Sequence, residues 1–159
     1  MNFRHLLLLL ALMVLASNAK AASSDTLALQ GSLAAVNSIA VTPSGSYSAL
    51  NITGGESNTT LASVAETSND LRGYTISMSS TNAGELKNTS DGTKKTSYTI
   101  SYDGASASAP AVAPQTVKTV SSLAGLTTNT SAVKINVTAY ATAPAGTYSD
   151  TITFAVVGN

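Results

Sequence analysis

The sequence predicts an all-β protein built as an antiparallel β-sandwich, and two observations support this prediction. Apolar residues recur at every second position in several separate segments, the spacing that places them on one face of a strand. Clusters of Gly, Pro, Asn and Asp divide these segments at intervals that suit short strands. Short strands with one apolar and one polar face are typical of antiparallel sheets packed into a sandwich.

The predicted strands follow one another along the chain. The first carries the alternating residues Leu27, Leu29, Gly31, Leu33 and Ala35, and a short second strand covers 38–42, just before Pro43. The apolar stripes of the later strands are Tyr74, Ile76 and Met78; Tyr98, Ile100 and Tyr102; Val133, Ile135 and Val137; and Tyr148, Ile152, Phe154 and Val156, with Asp150 as an exception in the last one. The region from Ala105 to Gln115 contains two prolines, so we expect a loop or an irregular edge there.

The first 21 residues have the layout of an export signal. Arg4 and His5 precede an apolar run from Leu6 to Leu15, and Ala19-Lys20-Ala21 matches the small-residue pattern of a cleavage site. The run is too short to cross a hydrocarbon core of about 30 Å as a helix. We therefore expect residues 1–21 to be a signal peptide and the rest of the chain to be exported.

The composition argues against an enzyme. The 159 residues include no cysteine and a single histidine, His5, which the predicted cleavage would remove. Histidine is the commonest general base and metal ligand, and cysteine is the strongest side-chain nucleophile. The acidic residues stand singly beside turn residues, where we expect solvated charges. The sequence thus predicts no catalytic residues, no cofactor and no metal site.

The charge balance also bears on partners. Eight basic residues face eight acidic ones, and charged residues make up only 10% of the chain. A protein that binds nucleic acid carries a basic surface, and this composition does not supply one. We therefore expect no nucleic-acid partner.

Two interpretations of the first strand remain open from the residues themselves. The stripe from Leu27 to Ala35 must be buried somewhere, because apolar area gains about 25 cal/mol per Å² on leaving water. It pairs within its own sheet, or it fills a gap in a neighbouring subunit, with Gly31 letting the backbone approach a shallow pocket. An edge strand is competent for both.

The order of these segments resembles the subunits of chaperone–usher pili. The resemblance lies in the signal, the alternating strand Leu27–Val36, the short strand ending near Pro43, and above all the stretch from Ala145 to Thr153, Ala-Gly-Thr-Tyr-Ser-Asp-Thr-Ile-Thr. Residues 97–104, Ser-Tyr-Thr-Ile-Ser-Tyr-Asp-Gly, are similar to a mid-domain strand and turn of the same group. The chain is most similar to alternate, colonisation-factor-type major subunits and to spore coat protein U-like archaic pilins, although the latter usually carry cysteines.

The resemblance implies an immunoglobulin-like sandwich that lacks one strand and is completed by a donor strand from another copy. Residues 22–36 would be the donor extension and residues 37–159 the pilin domain. Leu27, Leu29, Gly31, Leu33 and Ala35 would be the donor residues, and Ile152, Phe154 and Val156 would form one wall of the acceptor groove and the strand that pairs with the chaperone. The implied partners are identical or related subunits, a periplasmic chaperone, an outer-membrane usher and a host or abiotic surface receptor.

The implied function is that of a structural subunit of a surface fimbria, which passes through the periplasm and mediates adhesion or biofilm formation. Two alternatives remain. One is a monomeric secreted adhesin or lectin-like sandwich that keeps its first strand. The other is a biofilm-matrix fibre protein that exchanges strands without an usher.

Overall fold

The computed structural model describes residues 22–159, and the expected signal peptide lies outside the described residues. The chain divides into two units, residues 1–33 and residues 34–159. The second unit is an antiparallel β-sandwich, so the predicted fold class is confirmed.

Nine strands form this sandwich. They are β1 (Asn37–Pro43), β2 (Glu56–Ser68), β3 (Tyr74–Ser80), β4 (Glu85–Asn88), β5 (Lys95–Tyr102), β6 (Gln115–Val120), β7 (Thr127–Val137), β8 (Tyr148–Ser149) and β9 (Ile152–Gly158). A single 3-10 turn, Gly45–Ser48, lies in the connection between β1 and β2.

The strands form two sheets of unequal width. The larger sheet has the order β1-β2-β7-β5-β4-β8, and the smaller one has the order β6-β3-β9. Every pairing is antiparallel. Three strands therefore face six, and part of the inner surface of the larger sheet extends beyond the smaller sheet.

The alternating stripes predicted part of the core correctly; Leu61, Ala62 and Val64 of β2 and Leu86 of β4 also belong to it, and no stripe predicted them. Tyr74, Ile76 and Met78 of β3 are buried, and so are the stripes of β5 and β7, because the inward face of each strand meets the opposite sheet. The region 105–114 is irregular, as expected, apart from one bridge between Ile100 and Ser108. The following strand β6 was not predicted, because its residues Gln115–Val120 carry no clear apolar alternation.

The prediction of a first strand carrying Leu27 to Ala35 was wrong within this chain. Residues 22–36 contain neither helix nor strand, and both faces of the segment are exposed. Alternation predicts a strand only where a neighbouring strand supplies hydrogen bonds, and the first pairing of the chain begins at Asn37, opposite Ser68.

The sandwich has a proximal and a distal end, and the site depends on the difference between them. At the proximal end β1 begins at Asn37 and β9 ends at Gly158. Asn37 pairs with Ser68 and Gly158 pairs with Tyr74, and a short turn joins Ser68 to Tyr74, so the two strand ends lie at the same end of the sandwich. At the distal end lie Pro43 of β1 and Ile152 of β9.

Candidate functional site: an apolar groove between two open edges

The sandwich has four edge strands, β1, β6, β8 and β9, and the candidate site lies between β1 and β9. Within residues 34–159, β9 pairs along one side only, with β3, and β1 pairs along one side only, with β2. An edge strand presents a row of unpaired N–H and C=O groups, which is a template for one more strand. The sandwich can therefore accept a further strand beside β9.

The two open edges converge at the proximal end. A Cβ built on Gly158 would lie 2.9 Å from Nδ2 of Asn37 and 2.8 Å from Oδ2 of Asp70. The following residue, Asn159, donates from its side chain to the carbonyl oxygens of Arg72 (3.1 Å) and Val120 (3.0 Å). The Asn159 contacts hold the end of β9 in place, and the approach of Gly158 to Asn37 closes the space between β1 and β9 at this end.

Towards the distal end the edges diverge and leave an apolar groove of about 640 Å³. Its floor consists of residues from the larger sheet, among them Leu61, Ala62, Val133 and Ile135. Its sides are formed by Val41 and Pro43 of β1 and by Ile152 and Phe154 of β9. The floor residues are themselves covered, with exposed fractions of 1–9%, so the open apolar surface belongs to the sides and the distal rim of the groove, including Val41 and Tyr47.

The predicted wall residues take two different positions. Ile152 and Phe154 line the groove, and the ring of Phe154 lies 5.5 Å from that of Tyr102. Val156 is half-buried on the same inward face of β9, nearer to the proximal end, and does not line the groove.

The predicted donor residues are also of two kinds. The side chains of Leu27, Leu29 and Leu33, called here the leucine stripe, are 85%, 87% and 88% exposed. In the described part of the chain no atom would lie within 4 Å of a Cβ on Gly31. Ala35 is placed differently, because its two neighbours are hydrogen-bonded to the sandwich.

Asn69 makes those hydrogen bonds. Its Oδ1 accepts from the backbone N–H of Val36 at 2.7 Å, its Nδ2 donates to the carbonyl oxygen of Ala34 at 3.0 Å, and its backbone N–H donates to the carbonyl oxygen of Val36 at 3.2 Å. The side chain thus continues the β1–β2 ladder by two residues. In the sequence Asn69-Asp70 has only the composition of a turn, and the partners of Asn69 lie 33 to 35 residues away, so no local signal points to them.

The groove also contains residues that the sequence analysis did not identify. Tyr47, Leu50 and Ile52 come from the connection between β1 and β2 and lie at the distal side of the groove. They follow no alternation, because the connection contains a 3-10 turn rather than a strand. Only the unusual concentration of apolar residues in a Ser- and Gly-rich connection could have drawn attention to them.

One acidic residue contradicts the expectation of solvated carboxylates. Glu66 on β2 is fully buried between the two sheets. Its Oε2 accepts from the hydroxyl of Tyr74 (2.7 Å) and pairs with Nζ of Lys118 (3.0 Å), and its Oε1 accepts from Ser131 (2.7 Å) and from the hydroxyl of Tyr102. A buried carboxylate needs such partners, because an unpaired one would cost several kcal/mol.

The pKa of Glu66 reflects two opposing effects. Burial alone would raise it, and the hydrogen bonds from Ser131, Tyr102, Tyr74 and Lys118 together lower it below the ordinary value. The pKa of Lys118 is raised, because its contacts with Asp103 and Glu66 outweigh the effect of burial. Glu66 and Lys118 therefore form a charged pair that joins the edge strand β6 to the larger sheet.

A second carboxylate supports the rim of the groove. Asp150, the exception in the last predicted stripe, accepts hydrogen bonds from the hydroxyls of Ser80 (2.6 Å) and Tyr98 (2.7 Å). Burial raises the pKa of the Tyr98 hydroxyl, and the hydrogen bond to Asp150 raises it further. Because both Asp150 and Tyr98 line the groove, their hydrogen bond fixes the shape of its wall.

The chemistry available at the groove is non-covalent binding. Among residues 22–159 no three His, Cys, Asp or Glu side chains are grouped so that they could hold a metal ion. Over the same residues, no helix has the length and apolar character needed to span a membrane. An apolar groove bordered by a free strand edge is suited to an extended segment with apolar residues at alternate positions.

Comparison with known proteins gives no further assignment. No family model matches the sequence, and no curated protein matches it.

Proposed function

We propose that the protein is a structural subunit that polymerises by strand exchange, with the segment Leu27–Leu33 of one copy bound in the apolar groove of the next. The observation that carries this proposal is the apolar groove beside the unpaired edge of β9. A segment added there forms main-chain hydrogen bonds with β9 and buries its apolar side chains at the same time.

The size of the groove supports this occupant. A cavity of roughly 150 Å³ corresponds to one large apolar side chain. A groove of about 640 Å³ therefore has room for on the order of four such side chains. The leucine stripe supplies three, and Gly31 between Leu29 and Leu33 lets the backbone approach the floor closely at one position.

The energy of this contact is large enough for a stable assembly. Burying each leucine gains about 1.5–3 kcal/mol, so the stripe contributes on the order of 5–9 kcal/mol before the cost of ordering the segment. Main-chain hydrogen bonds to β9 add a barrier to dissociation, because they must break together. Exchange of a strand between copies is a head-to-tail contact that does not close, so it produces a filament.

The resemblance to chaperone–usher subunits places this filament in a biological setting. On that proposal the chain is exported, a periplasmic chaperone lends the missing strand, an outer-membrane usher assembles the subunits, and the product is a surface fimbria for adhesion or biofilm formation. Ile152 and Phe154 would meet first the chaperone and then the leucine stripe of the neighbour.

A test uses a variant from which residues 22–33 have been deleted and a peptide of residues 23–33. We expect the full-length protein, taken from cells that also make the chaperone and usher, to give a ladder of multimers on an SDS gel that collapses on boiling, and the deletion variant from such cells to give a single band. We expect the peptide to raise the melting temperature of the deletion variant, because a ligand that binds only the folded state stabilises it. The control peptide carries Leu29→Asp and should have no effect.

Two other outcomes would support the two alternative functions. A single band from the full-length protein with and without boiling would overturn polymerisation and support a monomeric adhesin. A ladder formed by the purified protein alone, without chaperone and usher, would support a matrix fibre that assembles unaided.

A further inference from the structure

We propose that successive copies also pack end to end, with the proximal end of one against the distal end of the next, and that Asn69 is the positioning residue of this joint. The inference rests on the proposed function, because it starts from a leucine stripe bound to a neighbouring copy.

The first step concerns the length of the connection. Asn69 holds Ala34 and Val36 to the sandwich of their own copy. Leu33, the last residue of the leucine stripe, is the residue immediately before Ala34, and adjacent Cα atoms are about 3.8 Å apart. When Leu33 lies in a neighbour's groove, no linker remains between the two sandwiches, so they must touch.

The second step concerns polarity. The groove is closed at the proximal end, where Gly158 meets Asn37, and it opens towards the distal end. The end of the donor segment at Leu33 is attached to a folded sandwich, which cannot enter the groove. Leu33 must therefore lie at the distal opening, with Leu27 directed towards the closed end.

These two steps fix which surfaces meet. The donor segment leaves its own copy at the proximal end, since Asn69 follows Ser68, the partner of Asn37. It enters the neighbour at the distal end. The proximal end of each copy is thereby brought against the distal end of the next.

Both surfaces have the character of an interface. At the proximal end, Leu71 and Leu126 are 69% and 68% exposed, and the backbone N–H of Leu123 donates to the carbonyl oxygen of Leu71 at 3.2 Å. At the distal end, Tyr47 is 60% exposed, and the rings of Tyr140 and Tyr148 stand edge to face at 6.4 Å. Leucines against tyrosines give an apolar contact whose hydroxyl groups can stay in water, and tyrosine is enriched at interfaces.

The chain is well suited to a cross-linking test, because it contains no cysteine. The variant carries Leu71→Cys and Tyr47→Cys, one at each end, and is polymerised and treated with a short bismaleimide. A link within one copy is excluded, because the ends are separated by about six strand residues, or roughly 20 Å. We expect a ladder that survives boiling. The control variant combines Leu71→Cys with Thr130→Cys, which is exposed on the outer face of β7 midway between the two ends, and should give no such ladder.

The outcomes separate this inference from the proposed function. If the unboiled ladder forms and the Leu71/Tyr47 variant is not cross-linked, end-to-end packing is overturned and strand exchange stands. If no ladder forms even without boiling, strand exchange is overturned, and this inference with it.

A second measurement tests Asn69 itself. We expect Asn69→Ala to speed amide hydrogen exchange at Val36 roughly tenfold, the effect of one net hydrogen bond, and to lower the yield of the Leu71–Tyr47 cross-link while the unboiled ladder persists. Asn69→Asp keeps the acceptor for Val36 and loses the donor to Ala34. Its exchange rate at Val36 and its cross-link yield should therefore lie between those of the unchanged protein and of Asn69→Ala. Unchanged exchange and unchanged cross-linking would overturn the role of Asn69.

Discussion

Gly158 at the end of β9 lies against Asn37 at the start of β1, so close that a Cβ on Gly158 would be 2.9 Å from Nδ2 of the asparagine. The two strands belong to different sheets, and no ladder joins them. Their contact closes the sandwich at one end and leaves it open at the other. The apolar groove is therefore closed at the proximal end and open towards the distal end, and this gives a bound segment a direction.

The groove wall should matter more to the assembly than to the single subunit. Ile152 is only half-buried, since it faces the open groove, whereas Met78 on the neighbouring strand is fully buried. We expect Met78→Ala to cost about 2–5 kcal/mol of unfolding free energy in the monomer, and Ile152→Ala clearly less. In multimers Ile152→Ala should lower the temperature at which the SDS-gel ladder collapses. A ladder of unchanged heat stability would count against Ile152 as part of the acceptor groove.

Two glycines with the same backbone conformation should tolerate alanine differently. Gly73 has φ +84° and Gly104 has φ +79°. A Cβ on Gly73 would overlap the carbonyl oxygen of Val120, whereas one on Gly104 would meet no atom within 4 Å in the described part of the chain. We expect Gly104→Ala to cost about 1–2 kcal/mol from the left-handed conformation alone, and Gly73→Ala at least about 3 kcal/mol. Urea denaturation of both variants measures the difference, and equal losses would contradict the turn geometry.

The buried pair of Glu66 and Lys118 should be costly to break. Glu66→Gln leaves Lys118 without its buried partner, and removing one member of such a pair costs about 3–5 kcal/mol. The matched control is Glu85→Gln, because Glu85 pairs with Lys95 at 2.7 Å near the surface, where ion pairs contribute little to stability. Urea denaturation at neutral pH compares the two. A similar loss in both variants would show that Glu66 is not held as described.

The same pair predicts how stability depends on pH. The folded-state pKa of Glu66 lies below its ordinary value of 4.5, so its contribution is complete above pH 4.5 and is lost as the pH falls through the folded-state value. The pKa of Lys118 lies above 10.5, so its contribution is complete below pH 10.5 and is lost at higher pH.

We therefore expect the unfolding free energy to fall below pH 4.5, and to fall less steeply in Glu66→Gln. Some slope should remain in that variant, because hydrogen bonds also lower the pKa of Glu56, Glu85 and Asp91. Denaturation curves at several pH values between 7 and 3 provide the comparison. An identical slope in the variant would contradict the charged state of Glu66.

The sequence predicted those parts of the fold that depend on alternation. The stripes of β3, β5 and β7 are local, because each strand buries every second residue whatever its neighbours are. The groove is not local, since it depends on which edges remain unpaired once the strands are arranged. Ile152 and Phe154 were found from their stripe, but Tyr47, Leu50 and Ile52 reach the groove from an irregular connection.

Long-range polar contacts also could not be predicted from the sequence. Glu66 looked like other carboxylates of the chain, and its burial follows only from the meeting of β2 with the four strands that supply its partners, β3, β5, β6 and β7. Asn69 had the appearance of an ordinary turn residue. Its hydrogen bonds to Ala34 and Val36 follow from the position of β1 beside β2, which the spacing of apolar residues does not specify.

The most direct test of strand exchange uses two isotopically distinct populations. Copies at natural abundance carry Gln30→Cys, at the centre of the leucine stripe and on its polar side, and ¹⁵N-labelled copies carry Thr153→Cys, on the outer face of β9. The two are polymerised together, treated with a short bismaleimide and analysed by mass spectrometry. We expect linked peptides that join residue 30 of an unlabelled chain to residue 153 of a labelled one. Their absence, with the same link forming inside single chains of the double variant, would show that each copy fills its own groove.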